Sequence, residues 1–349
     1  MPSSMRSLSS PLNGMGSTPL PRPLFFPPTA SSSSVIGAAL VKGFSVAAGR
    51  LGNATGSKEA LQMWRQICAR LNIMTAPSVE RQIIESKGCL GLVCKAADVI
   101  EKGEVLAVVP YLACTSPIMA LASPWGPQLG SALSSYALEE GGVRVDYSKE
   151  GALTTAFTAL AMQPRSPLEH YLRHIELDAG GAASLEAALG PALVAQLKVI
   201  EALNGAVVEH IHADLRGYGL TVPLADLQRA HRLCASRCLD IPGSEEFFGG
   251  PALVPMADLI NHDNQPPNIA IYAESTHRIG PLLRQHSSMN LMNDSFKGYA
   301  FCVVVRATEQ VDGGNELTYQ YVDATSDPSL YADKLYWASR FGFVPPELH

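Results

Sequence analysis

The stretch VPMADLINHD (Val254–Asp263) runs from apolar residues into an aspartate, an asparagine and a histidine. A buried segment that ends on such groups must satisfy their hydrogen bonds with backbone, with a partner side chain or with a ligand. A second stretch, GGNELTYQY (Gly313–Tyr321), has the pattern of a turn followed by a short strand, and strand alternation places Tyr319 and Tyr321 on one face. Together the two stretches offer an amide, an imidazole, carboxylates and phenols, but no cysteine and no obvious nucleophile.

The order, spacing and flanks of these stretches resemble those of the SET-domain protein methyltransferases, in the branch of the Rubisco large-subunit lysine methyltransferase. In that branch a P-x-x-D-x-x-N-H segment, here Pro255–His262, precedes a G-x-[DE]-[LIV]-x-x-x-Y segment, here Gly314–Tyr321. The resemblance implies an α+β fold over residues 58–346. This fold is a SET-domain β-clip of short β-sheets with a pseudoknot-like C-terminal segment. A helical insertion at about 117–240 interrupts it and closes with Ser236-Arg237.

The resemblance also implies S-adenosylmethionine as the cofactor and assigns roles to individual residues. The side chains or backbone expected to bind the cofactor are Leu90, Arg237, Asn261 and His262. The residues expected to contact the substrate are Asp258, Arg237 and Tyr321, and Tyr321 is expected to be catalytic. Methyl transfer to lysine needs an uncharged amine, whose free pKa is about 10.4. A site that only positions and desolvates the amine therefore suits motifs without a strong base.

The same residues have plainer interpretations when the resemblance is set aside. Asn261-His262 fits a capped loop with a hydrogen-bonded core histidine, and Tyr321 fits an amphipathic core residue. Arg237 fits a cation at a helix C-terminus, and Asp258 fits a structural acid. Asp258 and His262 are four residues apart, as metal ligands on a helix can be, but no third ligand has suitable spacing. We therefore expect no metal.

Two residues of this sequence, and the length of the sequence, differ from the pattern of the resembled family. Gly88 stands where an acidic residue often binds the cofactor, and Phe341 stands where a tyrosine is common. The sequence ends at His349 without the helical substrate-binding domain of that branch. The expected activity is protein-lysine N-methylation of a non-histone protein. A protein-histidine N-methyltransferase of the same branch and a non-catalytic SET module that binds partners are the alternatives.

Composition limits the partners and the cellular compartment. The net charge is −6 and basic residues form no run, so we expect no nucleic-acid partner. No uninterrupted apolar run reaches the ~18 residues of a membrane span, so we expect no membrane, and we expect a monomer. The seven cysteines are scattered without a C-x-x-C pair, which favours a reducing compartment and a non-histone enzyme without a zinc cluster.

Residues 1–57 differ from the rest of the chain. They are rich in Ser, Pro and Gly, contain basic residues, and no acidic residue occurs before Glu59. This composition predicts a chloroplast transit peptide, with a mitochondrial or cytoplasmic location as alternatives, and a disordered tail has the same composition. Either way the segment lies outside the predicted fold.

Local patterns predict the remaining elements. Apolar spacing predicts a helix over 59–71, and residues 88–110 have the pattern of two strands around a polar turn at 101–103. Residues 275–298 are polar and poorly periodic, which predicts a mobile loop. Residues 299–306 predict a strand, and a helix is expected from Pro328 onwards.

Overall fold

A computed structural model describes residues 58–349 apart from Ser86, Gly88, 176–181, Gly243, Asn264, 287–298 and 323–324. The expectations for residues 1–57 and for Gly88 therefore lie outside the described residues. The helix expected at 59–71 is present as α1 (Lys58–Arg70).

The strands of the described chain are short and form one larger sheet and several small ones. They are β1 (Met74–Thr75), β2 (Val79–Ile84), β3 (Cys89–Cys94), β4 (Val99–Ile100), β5 (Val105–Pro110), β6 (Tyr136–Glu140), β7 (Val143–Tyr147), β8 (Cys238–Leu239), β9 (Ala252–Leu253), β10 (Asn261–His262), β11 (Ile269–Ser275), β12 (Phe301–Ala307), β13 (Val311–Asp312) and β14 (Thr318–Tyr319). The larger sheet is antiparallel, in the order β1-β5-β12-β11, and five two-stranded sheets surround it.

The two central strands of the larger sheet are covered on both faces. Every residue of β5 is buried, and in β12 only Arg306 is partly exposed. Their continuous apolar sequences explain this position, since a strand buried on both sides shows no alternation. Residues 88–110 were expected to form two strands around the polar turn, but they contain three, β3, β4 and β5. These belong to different sheets, because β3 pairs with β2, β4 with β13 and β5 with β12.

The helices of the described residues are unevenly distributed along the chain. They are α1, α2 (Pro117–Ala122), α3 (Gly126–Ala132), α4 (Lys149–Ala161), α5 (Glu169–His174), α6 (Ala182–Gly217), α7 (Leu224–Arg237), α8 (Glu245–Phe248), α9 (Thr276–His286), α10 (Pro328–Tyr331) and α11 (Lys334–Phe341). Six of them, α2 to α7, lie between β5 and β8 and form the predicted helical insertion. Helices and small sheets together give the predicted α+β class.

The insertion also contains a hairpin, β6–β7, that the sequence analysis missed. Gly141 and Gly142 form its two-residue turn with φ of +59° and +77°, a conformation that suits glycine. After the turn Val143, Val145 and Tyr147 are buried, and the residues between them are more exposed. The Gly-Gly pair and this alternation are the signal that could have predicted the hairpin.

A second difference concerns the segment expected to be a loop over 275–298. Its first part is helix α9, which ends at His286, and the remainder, 287–298, lies outside the described residues. Ile279 is 3% exposed and Leu282 is partly buried against the main core, so both hold the inner side of the helix. The expectation of a loop was wrong for Thr276–His286, because Gly280 and Pro281, which disfavour helix, lie between these two residues and obscure their spacing.

Helix α6 is kinked at Gly190, whose φ is +73°, immediately before Pro191. By length and composition alone its Leu185–Gly217 portion could cross a membrane, although only 28% of its most apolar window is buried. Its inward residues, such as Leu197 and Ile211, are buried, while its outward positions carry mostly Ala, Glu and Lys. The absence of a membrane partner stays a prediction.

The C-terminal segment lies between two earlier parts of the chain. On one side, Leu317 donates its backbone N–H to Leu92 O at 2.7 Å, and Val93 forms a bridge with Glu316. On the other side, β14 pairs in parallel with β10. This insertion of a late segment between β3 and β10 is the predicted pseudoknot-like arrangement. We call it the strand crossing, residues 314–319 with β3 and β10.

Candidate active site

The strand crossing brings together the two stretches that the sequence analysis singled out. Asn261 lies opposite Thr318, and His262 lies opposite Tyr319. Two residues further, the backbone N–H of Tyr321 donates to Nδ1 of His262 at 3.3 Å, and the two rings lie 5.5 Å apart. The expected proximity of Tyr321 to Asn261 and His262 is therefore present in the structure.

Asn261 is fixed by two acceptors. Its Nδ2 donates to Oε1 of Glu316 at 2.7 Å and to the backbone O of Leu90 at 3.1 Å. These bonds use both N–H donors of the amide and leave Oδ1 as its acceptor. Gly91 makes the approach feasible, because a Cβ there would lie 2.7 Å from Asn261 Nδ2. The predicted residues Leu90 and Asn261 thus belong to one hydrogen-bonded group.

Tyr321 belongs to a group of aromatic side chains that also packs against His262. We call this group the aromatic cluster and define it as Tyr321, Trp337, Phe341 and Phe343. The ring of Tyr321 lies 4.9 Å from Phe341, and His262 lies 4.7 Å from Trp337 and 6.3 Å from Phe343. Trp337 is fully buried and donates Nε1–H to the backbone O of Tyr331 at 2.8 Å. The surroundings of Tyr321 are therefore apolar on the side that helix α11 supplies.

The Tyr321 hydroxyl donates to the backbone O of Ile260 at 2.9 Å. This bond uses its hydrogen, so any further contact of the phenolic oxygen is as an acceptor. Tyr319 behaves differently, because it packs with the main core rather than with the aromatic cluster. The expectation that alternation keeps both tyrosines on one face was wrong, because strand β14 ends at Tyr319.

Asp258 and Arg237 form a second, buried group. Nη1 of Arg237 donates to the backbone O of Asp258 at 2.8 Å and lies 3.9 Å from its Oδ2. The hydroxyl of Tyr171 donates to Oδ1 of the same carboxylate. Burial raises the pKa of Asp258 to about 6, although Arg237 and the Tyr171 hydroxyl both favour the ionised form. Burial and the Asp258 charge in turn raise the pKa of Tyr171 well above its ordinary value.

The backbone just before Asp258 is strained. Met256 has φ +79° and ψ −52°, and its side chain is buried. A non-glycine residue in such a conformation costs about 1–3 kcal/mol and persists only where the surrounding structure holds it. It begins the 3₁₀ turn Ala257–Leu259, which directs Asp258 into the core and leads into Asn261. Strain of this kind is typical of functional segments.

Solved structures share this architecture. The SET domain of LSMT bound to lysine and AdoHcy is 19% identical, with a TM-score of 0.56, and the match covers 83% of this chain and 58% of that one. The chain has a SET-domain fold. Rubisco LSMT bound to AdoMet matches at 17% identity and a TM-score of 0.52, over 83% of this chain and 57% of that one. Rubisco LSMT bound to sinefungin and monomethyllysine matches at 18% identity and 0.51. No protein-family model and no curated protein matches the sequence.

This SET-domain chain spans less than three fifths of the length of those structures. Its predicted site residues form two groups. One contains Leu90, Asn261, His262 and Tyr321, and the other contains Asp258 and Arg237. Arg237 is also the last residue of α7, so the plainer interpretation of a C-terminal helix cation fits its position too. Its side chain is nevertheless buried and lies beside Asp258.

The sequence analysis missed the residues that hold these groups in place. Glu316 lay inside a recognised motif without an assigned role, and Lys87, Tyr171 and Trp337 carried no signal at all. Tyr171 is 87 positions from its partner Asp258, so no local pattern could join them. Among the described residues, no three His, Cys, Asp or Glu side chains are placed to hold a metal ion.

Proposed function

We propose that this protein is an S-adenosylmethionine-dependent protein-lysine N-methyltransferase that acts on a non-histone protein. The observation that carries the proposal is the strand crossing, which joins Asn261-His262 to Tyr321 beside the aromatic cluster. The match to SET-domain structures with bound AdoMet or lysine supports it.

The residues of the site fit the proposed cofactor. S-adenosylmethionine carries N–H groups and a carboxylate, and both need complementary partners. Asn261 presents an acceptor, because Glu316 and Leu90 use its two donors, so it suits a ligand N–H. Arg237 is a buried guanidinium that donates through Nη1 to the backbone O of Asp258. A guanidinium pairs well with a carboxylate, so Arg237 suits that group of the cofactor.

When bound, S-adenosylmethionine supplies a methyl carbon activated by its sulfonium, so the protein needs no nucleophile of its own. The task of the protein is to present a neutral amine in line with that carbon. A lysine side chain that enters among Tyr321, Phe341 and Phe343 loses water, and desolvation lowers the pKa of its ammonium group. The apolar cluster therefore favours the nucleophilic form of the amine.

Tyr321 is positioned to orient that amine. Its hydroxyl hydrogen is donated to Ile260 O, so in the proposed complex its oxygen would meet the amine as an acceptor. An acceptor can bind one N–H of the amine and leave the nitrogen lone pair directed elsewhere. We assign Tyr321 as the catalytic tyrosine, with Asp258 and Arg237 as substrate-binding residues from the second group.

The proposal extends to partner and location. The substrate is a protein that presents a lysine, and we propose that the enzyme works as a monomer in the chloroplast without nucleic acid or membrane. The support is compositional: residues 1–57 lack acidic groups, the net charge is −6, and the cysteines form no zinc-type pattern.

The test is label transfer from S-adenosylmethionine to proteins of a chloroplast extract. Tyr321→Phe removes only the hydroxyl, and we expect transfer to fall by about 10²-fold or more, as for other lost transition-state contacts. Tyr319→Phe is the matched control, because Tyr319 packs in the main core two positions away. It should retain activity within about threefold.

Digestion of the labelled product identifies the modified side chain. Methylated lysine supports the proposal, and methylated histidine replaces it with the alternative of the same branch. Transfer that is equal in the wild type and in Tyr321→Phe contradicts the catalytic role of Tyr321. A folded wild type that binds no cofactor favours the non-catalytic module.

A further inference from the structure

Lys87, in the turn between β2 and β3, reaches across to the strand crossing. Its Nζ donates to the backbone O of His262 at 2.9 Å and to Oε2 of Glu316 at 2.7 Å, and lies 3.6 Å from Oδ2 of Asp263. Two of the three ammonium donors are therefore used in hydrogen bonds, and Asp263 adds a second negative charge nearby. The Lys87 side chain is 29% exposed and that of Glu316 only 15%, so salt screens this pair less than a fully solvated one.

Glu316 transmits this contact to Asn261. One carboxylate oxygen accepts from Lys87 and the other accepts from Asn261 Nδ2 at 2.7 Å. The carboxylate is therefore held at both ends. Without the charge of Lys87, Glu316 would keep only its bond to Asn261 and would gain freedom to turn towards water.

The surroundings leave little room for other arrangements. Gly91 runs directly beneath this group, and a Cβ on it would lie 3.0 Å from Glu316 Oε1 and 2.7 Å from Ile84 Cγ1. Asn261 Nδ2 is also bonded to Leu90 O on the same strand. The amide thus keeps its Oδ1 available only while Glu316 and Leu90 hold its Nδ2. A rotated amide would offer N–H groups where an acceptor is needed.

We propose that Lys87 is a positioning residue of the active site, which fixes Glu316 and through it the acceptor face of Asn261. This inference rests on the proposed function and deepens it, because it identifies what pre-organises the cofactor side of the site. Lys87 of the β2–β3 turn thereby holds two members of the strand crossing, His262 and Glu316, in place. Its effect is on cofactor affinity, since Lys87 reaches the cofactor-binding amide through Glu316.

The experiment is a calorimetric titration of the full-length chain with S-adenosylmethionine. We expect Lys87→Met to weaken binding about tenfold, or about 1.4 kcal/mol, because Glu316 then loses the charged donor that holds it beside Asn261. Lys87→Arg should restore much of the affinity, since it keeps the charge and the donors. Lys102→Met is the control, because Lys102 is an exposed lysine in the β4–β5 turn.

A double-mutant cycle separates positioning from a general effect on folding. Lys87→Met combined with Glu316→Gln should bind no more weakly than Glu316→Gln alone, because Lys87 acts through Glu316. Asn261→Ala replaces Glu316→Gln in the cycle if the latter does not fold. Additive losses, or wild-type affinity in Lys87→Met, overturn the inference.

Failure of the proposed function gives a different result. In that case the folded wild type shows no heat of binding at all. The coupling between Lys87→Met and Glu316→Gln in thermal unfolding then tests whether Lys87 holds Glu316 in the folded protein. Independent shifts of Tm refute that interaction.

Discussion

Two buried titratable groups should change the free energy of unfolding in opposite directions as the pH falls. Replacing them one at a time should reveal the contribution of each. One is the Asp258 carboxyl, whose pKa burial raises from 3.8 to about 6. The other is His231 in the insertion, whose pKa burial lowers from 6.5 to about 4, and which contacts the Tyr147 hydroxyl at 3.2 Å. The perturbations are Asp258→Asn and His231→Phe, which remove the titration and keep the approximate shape.

The signs follow from which state binds more protons. Between pH 4 and 6 the folded chain protonates Asp258 while the unfolded chain has released that proton, so this group makes stability rise as pH falls. Between pH 6.5 and 4 the unfolded chain protonates His231 while the folded chain does not, so this group makes stability fall as pH falls. At about 1.4 kcal/mol per pKa unit, each contributes roughly 2–3 kcal/mol over this window, and they nearly cancel.

The assay is urea unfolding followed by tryptophan fluorescence at pH 4.0, 5.0, 6.5 and 8.0, with each variant read as its difference from the wild type. Relative to the wild type, Asp258→Asn should lose about 2–3 kcal/mol between pH 6.5 and 4, and His231→Phe should gain a similar amount. Asp258→Asn also removes the counter-charge of buried Arg237 at the pH values where Asp258 is ionised, so the absolute stability of the variant is not the readout. The change with pH is therefore the test, and parallel curves for the variant and the wild type would refute the reasoning.

Two further predictions concern the supports of the site. Gly91→Ala should cost about 1–3 kcal/mol of unfolding free energy, because its Cβ would lie 2.7 Å from Asn261 Nδ2; Gly205→Ala in α6, which has open space, should be neutral or stabilising in the same urea titration. Asp333→Ala should cost about 1 kcal/mol, because the Asp333 side chain caps α11 by accepting from Leu335 N and Tyr336 N. Asp333→Asn should keep most of that stability in thermal unfolding, and an equal loss in both variants would contradict the cap.

The sequence predicted the centre of this fold better than its periphery, and the reason is physical. Asn261-His262 form a strand of only two residues, and Tyr321 follows another strand of two residues, so neither has a periodicity to detect. Their pairing was predictable because the order of polar residues resembles a known family, and not because any local pattern requires β10 to meet β14. By contrast, β12 was predictable from its own residues, since seven consecutive strand positions are nearly all apolar.

The supports of the site could not be predicted, because their partners are distant in sequence. Lys87 and Glu316 are 229 positions apart, and nothing in either neighbourhood indicates the other. A lysine in a turn is ordinarily a solvated charge, and surface ion pairs contribute little. Here Lys87 lies against the strand crossing, where it contacts the backbone carbonyl of His262 and the partly buried carboxylate of Glu316.

The β-rich part of the chain and the helical insertion contribute different contacts to the candidate site. The β-rich part supplies the strand crossing and its hydrogen bonds, while the insertion supplies Tyr171 and Arg237 to the carboxylate of Asp258. Asp258 lies only three positions before Asn261, across a turn that begins at strained Met256. A shift of the insertion would therefore move Asp258 and, through that stiff turn, the amide of Asn261. One short segment, Met256–Asn261, therefore links the contacts of the helical insertion to the amide of Asn261.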